Sequence, residues 1–93
     1  MSTEIIHAVD AQRYEIHVDG TLAGFTEARP RENGVVVFPH TVVLEQFEGR
    51  GLAGQLVAGA LDDVRANGLK IQAVCPYVVR FVEKHPEYAD LLA

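Results

Sequence analysis

The stretch Glu48-Gly49-Arg50-Gly51-Leu52-Ala53-Gly54 joins an apolar extended run to an amphipathic helix, and this junction is the most informative part of the sequence. The run before it covers Val35 to Leu44, and the predicted helix extends from Leu52 to about Ala66. Glycines let the backbone turn sharply and approach a ligand closely. The first N–H groups of a helix have no intrahelical acceptor and carry partial positive charge. A strand, a glycine-rich turn and a helix N-terminus in this order therefore predict a site for phosphate groups.

Two common phosphate-binding loops fit this stretch poorly. A Walker A loop requires Lys and then Ser or Thr after its last glycine, whereas Gln55 and Leu56 follow Gly54 here. A dinucleotide-binding loop has the pattern G-x-G-x-x-G, which residues 49–54 match, but it belongs to a doubly wound sheet with an acid on the next strand. A chain of 93 residues is too short for that sheet, and the next predicted strand, Leu69 to Val74, has no acid. We therefore expect neither NTP hydrolysis nor dinucleotide binding.

The rest of the pattern predicts an α/β (α+β) domain. Tyr14, Ile16 and Val18 alternate with polar residues as in a half-buried strand, and Asp19-Gly20 follows as a two-residue hairpin turn. We expect a bulge at Gly24, a break at Pro39 and a left-handed cap at Asn67-Gly68. The predicted order is β-β-β-β-α-β-α, with a mainly antiparallel sheet that ends in a C-terminal βαβ unit.

The glycine stretch resembles the pyrophosphate loop of the GNAT acyltransferases, Gln/Arg-x-x-Gly-x-Gly/Ala, with Gly51 and Ala53 at the small positions. The similarity to a compact GNAT subgroup of predicted N-acetyltransferases continues in Pro39-His40-Thr41-Val42-Val43, Val74-Cys75-Pro76-Tyr77-Val78 and His85-Pro86-Glu87-Tyr88. This resemblance implies a GNAT-like fold in a single domain over residues 5–91. Glu48 stands where Gln or Arg is usual, and we expect this acid to weaken the affinity for a pyrophosphate.

The resemblance also implies acetyl-CoA, or CoA, as the ligand. In GNAT enzymes the loop amides hold the pyrophosphate, and the preceding strand pairs its backbone with the pantetheine arm. The cofactor-binding residues that follow from this are Val42, Val43, Leu44, Glu48, Gly49, Arg50, Gly51, Leu52, Ala53 and Gly54.

Two candidate catalytic residues follow the helix. Cys75 ends a strand that in GNAT folds splays from the strand of Val42 and Val43, beside the acyl thioester. Its thiol is either an acyl acceptor or a small buried hydrophobic group. Tyr77 lies where GNAT enzymes often place a tyrosine that protonates the departing CoA thiolate; the alternative is a packing aromatic.

Histidines supply the candidate base. His40 precedes the strand expected to bind pantetheine and is either a base for the amine or an inert surface residue, with Glu45 as the rival base. His7 and His17 form no metal-ligand spacing with the cysteine, so we expect no metal site.

Composition restricts the setting. A net charge of −5 without any Lys/Arg cluster argues against a nucleic-acid surface. The one cysteine is consistent with a reducing compartment, and neither a signal peptide nor an apolar run of about 20 residues is present. We expect a cytoplasmic monomer without a membrane partner.

The expected function is acyl-CoA-dependent N-acyl transfer, with acetyl as the acyl group and a small-molecule or protein amine, not identified by the sequence, as the acceptor. One alternative is a module that binds CoA or acyl-CoA without turnover. Another is a small structural interaction domain, in which the glycine stretch is only a connection.

Overall fold

The computed structural model describes residues 2–93, and this part of the chain contains seven strands and two α-helices. In chain order they are β1 (Thr3–Ala8), β2 (Arg13–Val18), β3 (Thr21–Glu27), β4 (Arg29–Pro30), β5 (Val35–Phe38), β6 (Thr41–Val43), α1 (Leu52–Ala66), β7 (Lys70–Ala73) and α2 (Pro76–Lys84). Short 3-10 helices lie at Val9–Ala11, Glu45–Phe47 and Pro86–Leu91.

The first sheet is antiparallel, with the strand order β1-β2-β3-β6. The predicted hairpin turn joins β2 to β3, with Asp19 and Gly20 at φ values of 48° and 84°, as a type I′ turn requires. The predicted bulge is also present, because the β2–β3 register shifts where Ile16 pairs with Gly24 and His17 with Leu22. A Cβ on Gly24 would lie 2.6 Å from the carbonyl oxygen of Val42 on β6, so only glycine lets β6 lie this close.

The second sheet has the order β4-β5-β7, and its β5–β7 pair is parallel. Helix α1 makes the crossover between these two strands, which confirms the predicted βαβ unit. The predicted break at Pro39 sends the chain from β5 in one sheet to β6 in the other. Strands β6 and β7 therefore lie in different sheets. The boundary between the two sheets, with β6 on one side and β7 on the other, is called the seam below.

Helix α1 covers both sheets with its apolar face. Its buried residues are Leu52, Leu56, Val57, Ala60, Leu61 and Val64. The helix ends as predicted: Gly68 is left-handed at a φ of 69°, and its N–H donates to the Arg65 carbonyl at 3.0 Å. Because α1 starts at Leu52, its N-terminus lies directly after the glycine stretch.

The structure confirms the predicted fold class, but it has more strands before α1 than the sequence predicted. Six strands precede α1 instead of four, since the run interrupted at Pro39 forms two strands and Arg29–Pro30 adds a short one. Within residues 2–93 no helix combines the length and the apolar character that a membrane crossing requires.

Candidate active site

The glycine stretch forms the N-terminal cap of α1. Gly51 is the cap residue, in the left-handed conformation with a φ of 71° and a ψ of 18°, and Gly49 has a φ of 80°. The first turn of the helix is closed by a hydrogen bond from the Gln55 N–H to the Gly51 carbonyl at 3.4 Å. The N–H groups of Leu52, Ala53 and Gly54 have no acceptor within the helix and point out of its N-terminal end. This end of α1 is therefore a site for negative charge.

A cavity of about 230 Å³ lies in front of this helix end. Its lining residues come from β6, the loop, α1 and α2: Val43, Phe47, Glu48, Gly49, Gly51, Leu52, Ala53, Gly54 and Tyr77. Of the ten predicted cofactor-binding residues, seven line this cavity together with the predicted catalytic tyrosine. The guanidinium of Arg50 lies over the Phe47 ring, 5.4 Å from its centroid.

The Tyr77 hydroxyl faces the first turn of α1. It lies 3.6 Å from the position that a Cβ on Gly54 would occupy. The side chain has an exposed fraction of 39%, and its partial burial raises the pKa of the Tyr77 hydroxyl above its ordinary value. A phenol with a raised pKa keeps its proton at neutral pH, which is the state a general acid requires.

Strand β6 is an edge strand of the first sheet, so every second residue turns its backbone groups away from β3. The Leu44 N–H donates to the Ala23 carbonyl at 2.8 Å and is already in use. By the alternation of an antiparallel pair, Val42 pairs with Phe25 while Val43 directs its N–H and carbonyl toward the seam. Of the strand residues predicted to bind pantetheine, Val43 is thus the one with outward-facing backbone groups.

Cys75 is linked across the seam to the first sheet. Its Sγ donates to the Thr41 Oγ1 on β6 at 3.5 Å, and Thr41 is 2.9 Å from the Thr26 Oγ1 on β3. Burial raises the pKa of the Cys75 thiol. Hydrogen bonds with the Thr41 hydroxyl and with the backbone N–H groups of Val78 and Tyr77 lower this pKa by more than burial raises it, so the net shift is downward. The thiol is buried, with an exposed fraction of 5%.

The two candidate bases lie apart from this arrangement. His40 and Glu45 are both exposed, and neither belongs to the lining of the cavity. His40 contacts β3 through its backbone, since its carbonyl accepts the Glu27 N–H at 2.8 Å. Both remain predictions as bases.

Sequence reasoning missed three residues of the site. Phe47 lines the cavity, and Thr26 and Thr41 carry the link from the first sheet to Cys75. The sequence signal that could have found this link is Thr26, a polar residue directly after the run Leu22 to Phe25, and it is fully buried in the structure. Such a threonine indicates a hydrogen-bond partner but not its identity.

Comparison with known proteins identifies the family. A sequence model described as GCN5-related N-acetyl-transferase matches residues 13–91, which is most of the chain. The chain belongs to this family. The family assignment confirms the resemblance carried by the glycine stretch and its flanking segments.

Curated relatives of this GCN5-related chain include Protein NATD1 of Bos taurus and of Danio rerio. The first is 36% identical over 52 residues, which are 56% of this chain and 46% of the relative. The second is 38% identical over 53 residues, covering 55% of this chain and 48% of the relative. The chain thus spans about half the length of the curated relatives that it matches.

Solved structures confirm the fold of this family member. A GCN5-like protein from Staphylococcus aureus superposes with a TM-score of 0.73 at 24% identity, covering 97% of this chain and 87% of that one. N-acetylglutamate synthase from Neisseria gonorrhoeae, solved with coenzyme A and N-acetyl-glutamate, gives a TM-score of 0.57 at 22% identity. That match covers 67% of this chain and 15% of the synthase.

Proposed function

We propose that the protein transfers an acetyl group from acetyl-CoA to an amine. The observation that carries the proposal is the cavity in which the capped N-terminus of α1, the edge strand β6 and the Tyr77 hydroxyl meet. Membership of the GCN5-related family supports it, as does the coenzyme A in the structure of the N. gonorrhoeae synthase, of which 15% superposes on this chain.

The loop binds the pyrophosphate of the substrate. The outward N–H groups at the start of α1 donate to phosphate oxygens, and the missing side chain of Gly51 leaves the approach open, since a Cβ there would meet nothing within 4 Å. A volume of about 230 Å³ is too small for a whole CoA molecule, so the remainder of the ligand extends along the surface. The Glu48 carboxylate at the rim reduces the affinity by repulsion.

The acyl end of the substrate enters the seam between the two sheets. The outward backbone groups of Val43 pair with the pantetheine arm, and the thioester lies near Cys75 and Thr41. Orientation of the thioester in this seam supplies a large part of the rate enhancement. Because the thiol and the two threonine hydroxyls already bond to one another, they form the wall of the acyl site.

The chemistry is a direct transfer. The nitrogen lone pair of a neutral amine attacks the thioester carbonyl carbon, the C–N bond forms and the C–S bond breaks. The amine proton passes to a base, for which His40 and Glu45 are the candidates, and Tyr77 protonates the departing thiolate.

A module that binds CoA without turnover is the second candidate. The exposed positions of His40 and Glu45, outside the cavity, favour it over a catalyst with a preformed base.

We also propose that the protein acts as a monomer in the cytoplasm, the compartment suggested by its single cysteine.

The test of the proposed function is thermal denaturation with acetyl-CoA, followed by a free-thiol assay with a panel of amines. A hundredfold excess over Kd adds about 2.7 kcal/mol of stability, which raises the Tm of a domain this size by more than about 10 °C. Gly51→Val should remove the response. Gly68→Val is the matched control, because Gly68 has a similar φ of 69° and equally open surroundings but lies at the other end of α1.

The two assays separate the candidates. Thiol release with any amine supports the transferase, whereas stabilisation without thiol release supports the binding module. A protein that responds to ATP or NAD but not to acetyl-CoA would exclude both.

A further inference from the structure

A second cavity lies at the opposite end of α1. Its volume is about 400 Å³, and it lies between the 3-10 helix Val9–Ala11, strand β5 and the last turns of α1. It shares no lining residue with the cavity at the glycine stretch. From Ala53 to Asp63 the rise of the helix is about 15 Å, so the two cavities are separate sites.

The polar groups of this cavity converge at one side. The Tyr14 hydroxyl donates to the Asp63 Oδ2 at 2.7 Å, and the His7 Nδ1 lies 3.5 Å from the same oxygen. The His7 ring is stacked on the Tyr14 ring, with centroids 4.1 Å apart and an angle of 11° between planes. These contacts fix the carboxylate and leave its second oxygen, Oδ1, without a recorded donor among residues 2–93.

A second acceptor lies just beyond the end of α1, on its C-cap residue Asn67. The Asn67 Nδ2 donates to the Asp63 carbonyl at 2.7 Å, which fixes the amide and leaves its Oδ1 as an acceptor with no recorded partner in the described chain. Asn67 lies four residues after Asp63, at the C-terminal end of α1, and both residues line this cavity. The C-terminal end of α1 adds partial negative charge at this position.

The remaining lining is apolar except for Gln12. Its walls include Pro30, Val36 and Leu69, and none of the lining residues is Lys or Arg. The Gln12 backbone at the rim is left-handed, with a φ of 52° and a ψ of 51°. A non-glycine residue in this conformation stores strain, which is concentrated at functional sites.

We propose that this cavity binds a small organic cation, an ammonium group on an apolar body. The ammonium would donate to the Oδ1 atoms of Asp63 and Asn67, and the apolar body would contact Val36 and Leu69. A metal ion fits less well, because the described residues contain no group of three or more His, Cys, Asp or Glu side chains placed to hold one. The site is independent of the proposed acetyl transfer.

The test uses ¹⁵N-labelled protein titrated with 2-phenylethylammonium. We expect saturable shifts of the amides around His7, Asp63 and Asn67, and at least about tenfold weaker binding of the uncharged isostere 2-phenylethanol. Asp63→Asn should weaken binding of the cation by tenfold or more, since Asn can still accept from Tyr14 but removes the charge. Asp62→Asn is the matched control: it removes the same charge one residue away, where the carboxylate accepts from the Tyr88 hydroxyl instead.

The proposal would be overturned by the absence of saturable shifts, by equal binding of the uncharged isostere, or by equal weakening through Asp62→Asn and Asp63→Asn. Shifts confined to residues 48–54 would also overturn it, because they would place the amine in the proposed acetyl-transfer site. Asp63→Asn should keep its Tm response to acetyl-CoA. The amide shifts therefore test the cation site, the Tm response tests acetyl-CoA binding, and either proposal can fail without the other.

Discussion

At the scale of single residues, the seam between the sheets depends on a hydrogen-bonded chain of three side chains, Thr26, Thr41 and Cys75. Each belongs to a different segment, and each lies next to the place proposed for the thioester. The downward shift of the thiol pKa makes Cys75 more reactive than a buried thiol without these donors. Its low exposure favours a packing role instead.

We predict that Cys75→Ala changes kcat/KM by no more than a few fold, because direct transfer needs no thiol and the loss of one sulfur leaves only a small cavity. Steady-state kinetics and intact mass after incubation with acetyl-CoA alone test this. A loss of a hundredfold or more, about 2.7 kcal/mol of barrier, together with ping-pong kinetics and an acetylated Cys75, would show an acyl-enzyme instead.

Tyr77→Phe should lower kcat by about a hundredfold while leaving Kd for acetyl-CoA nearly unchanged, since only the proton donor is lost. In the parent protein kcat should fall as pH rises through the Tyr77 pKa, because the acid must be protonated and burial places that pKa above its ordinary value. The variant should lack this alkaline decrease. Tyr88→Phe is the control tyrosine; an equal effect there would contradict a catalytic role for Tyr77.

The sequence predicted the part of the site that depends on local backbone chemistry. Gly51 and the start of α1 could be located because glycine turns and helix ends have local signatures. The partners of Cys75 could not, since Thr41 lies 34 residues away in the chain and the contact depends on how two sheets meet. The roles of His40 and Glu45 stay predictions for the same reason.

At the scale of elements, α1 is attached to the first sheet by the bond between Tyr14 on β2 and Asp63. A comparable bond on the neighbouring residue, from the Tyr88 hydroxyl to Asp62 at 2.8 Å, links α1 to the C-terminal 3-10 helix at an exposed position. The two bonds have the same chemistry and differ in burial, because Tyr14 has an exposed fraction of only 3%.

We predict that Tyr14→Phe lowers the free energy of unfolding by about 1–2 kcal/mol and that Tyr88→Phe lowers it by less than about 1 kcal/mol. Burial and the bond to Asp63 raise the pKa of Tyr14 above its ordinary value of 10.0, so folding favours the protonated phenol. Its contribution is present below about pH 10 and is lost as pH rises beyond that value. Urea unfolding at pH 7 and above pH 10 should therefore show a difference between parent and Tyr14→Phe that shrinks at high pH; a constant difference would contradict this assignment.

The elements themselves were largely predictable. Periodicity and caps gave α1, the hairpin of β2 and β3, and the parallel strand after α1. Strand β4 was not predicted, because two residues carry no periodic signal and their pairing with β5 is decided by tertiary structure. The resemblance implied that the strand of Cys75 splays from the strand of Val42 and Val43, and the structure has this separation as a division into two sheets after the expected break at Pro39.

At the scale of the whole molecule, the apolar faces of α1 and of both sheets form one core cluster. It includes Ile16 from the first sheet and Ile71 from the second, both fully buried. The two sheets share no strand, so this core, together with the contact between Cys75 and Thr41, joins them. We therefore expect residues 5–91 to unfold as a single cooperative unit.

Ile71→Ala should lower the free energy of unfolding by about 2–5 kcal/mol and should destabilise both sheets equally. Calorimetry should give one transition with an enthalpy of roughly 65 kcal/mol for a chain of this size. Amide exchange measured separately for β2 and β5 provides the two probes. Val74→Ala, at a position with an exposed fraction of 51%, is the control and should cost less than about 0.5 kcal/mol. Loss of protection in the second sheet alone would indicate two independent units.

Gly24 has a consequence for mutational tolerance. Any side chain at this position would press on the Val42 backbone and move β6 relative to β3, which would change the width of the seam where Thr41 meets Cys75. In a library that samples every substitution and selects for acetyl transfer, position 24 should therefore accept glycine almost exclusively. A residue with no side chain and no contact with the ligand would then have the selection profile of a catalytic residue.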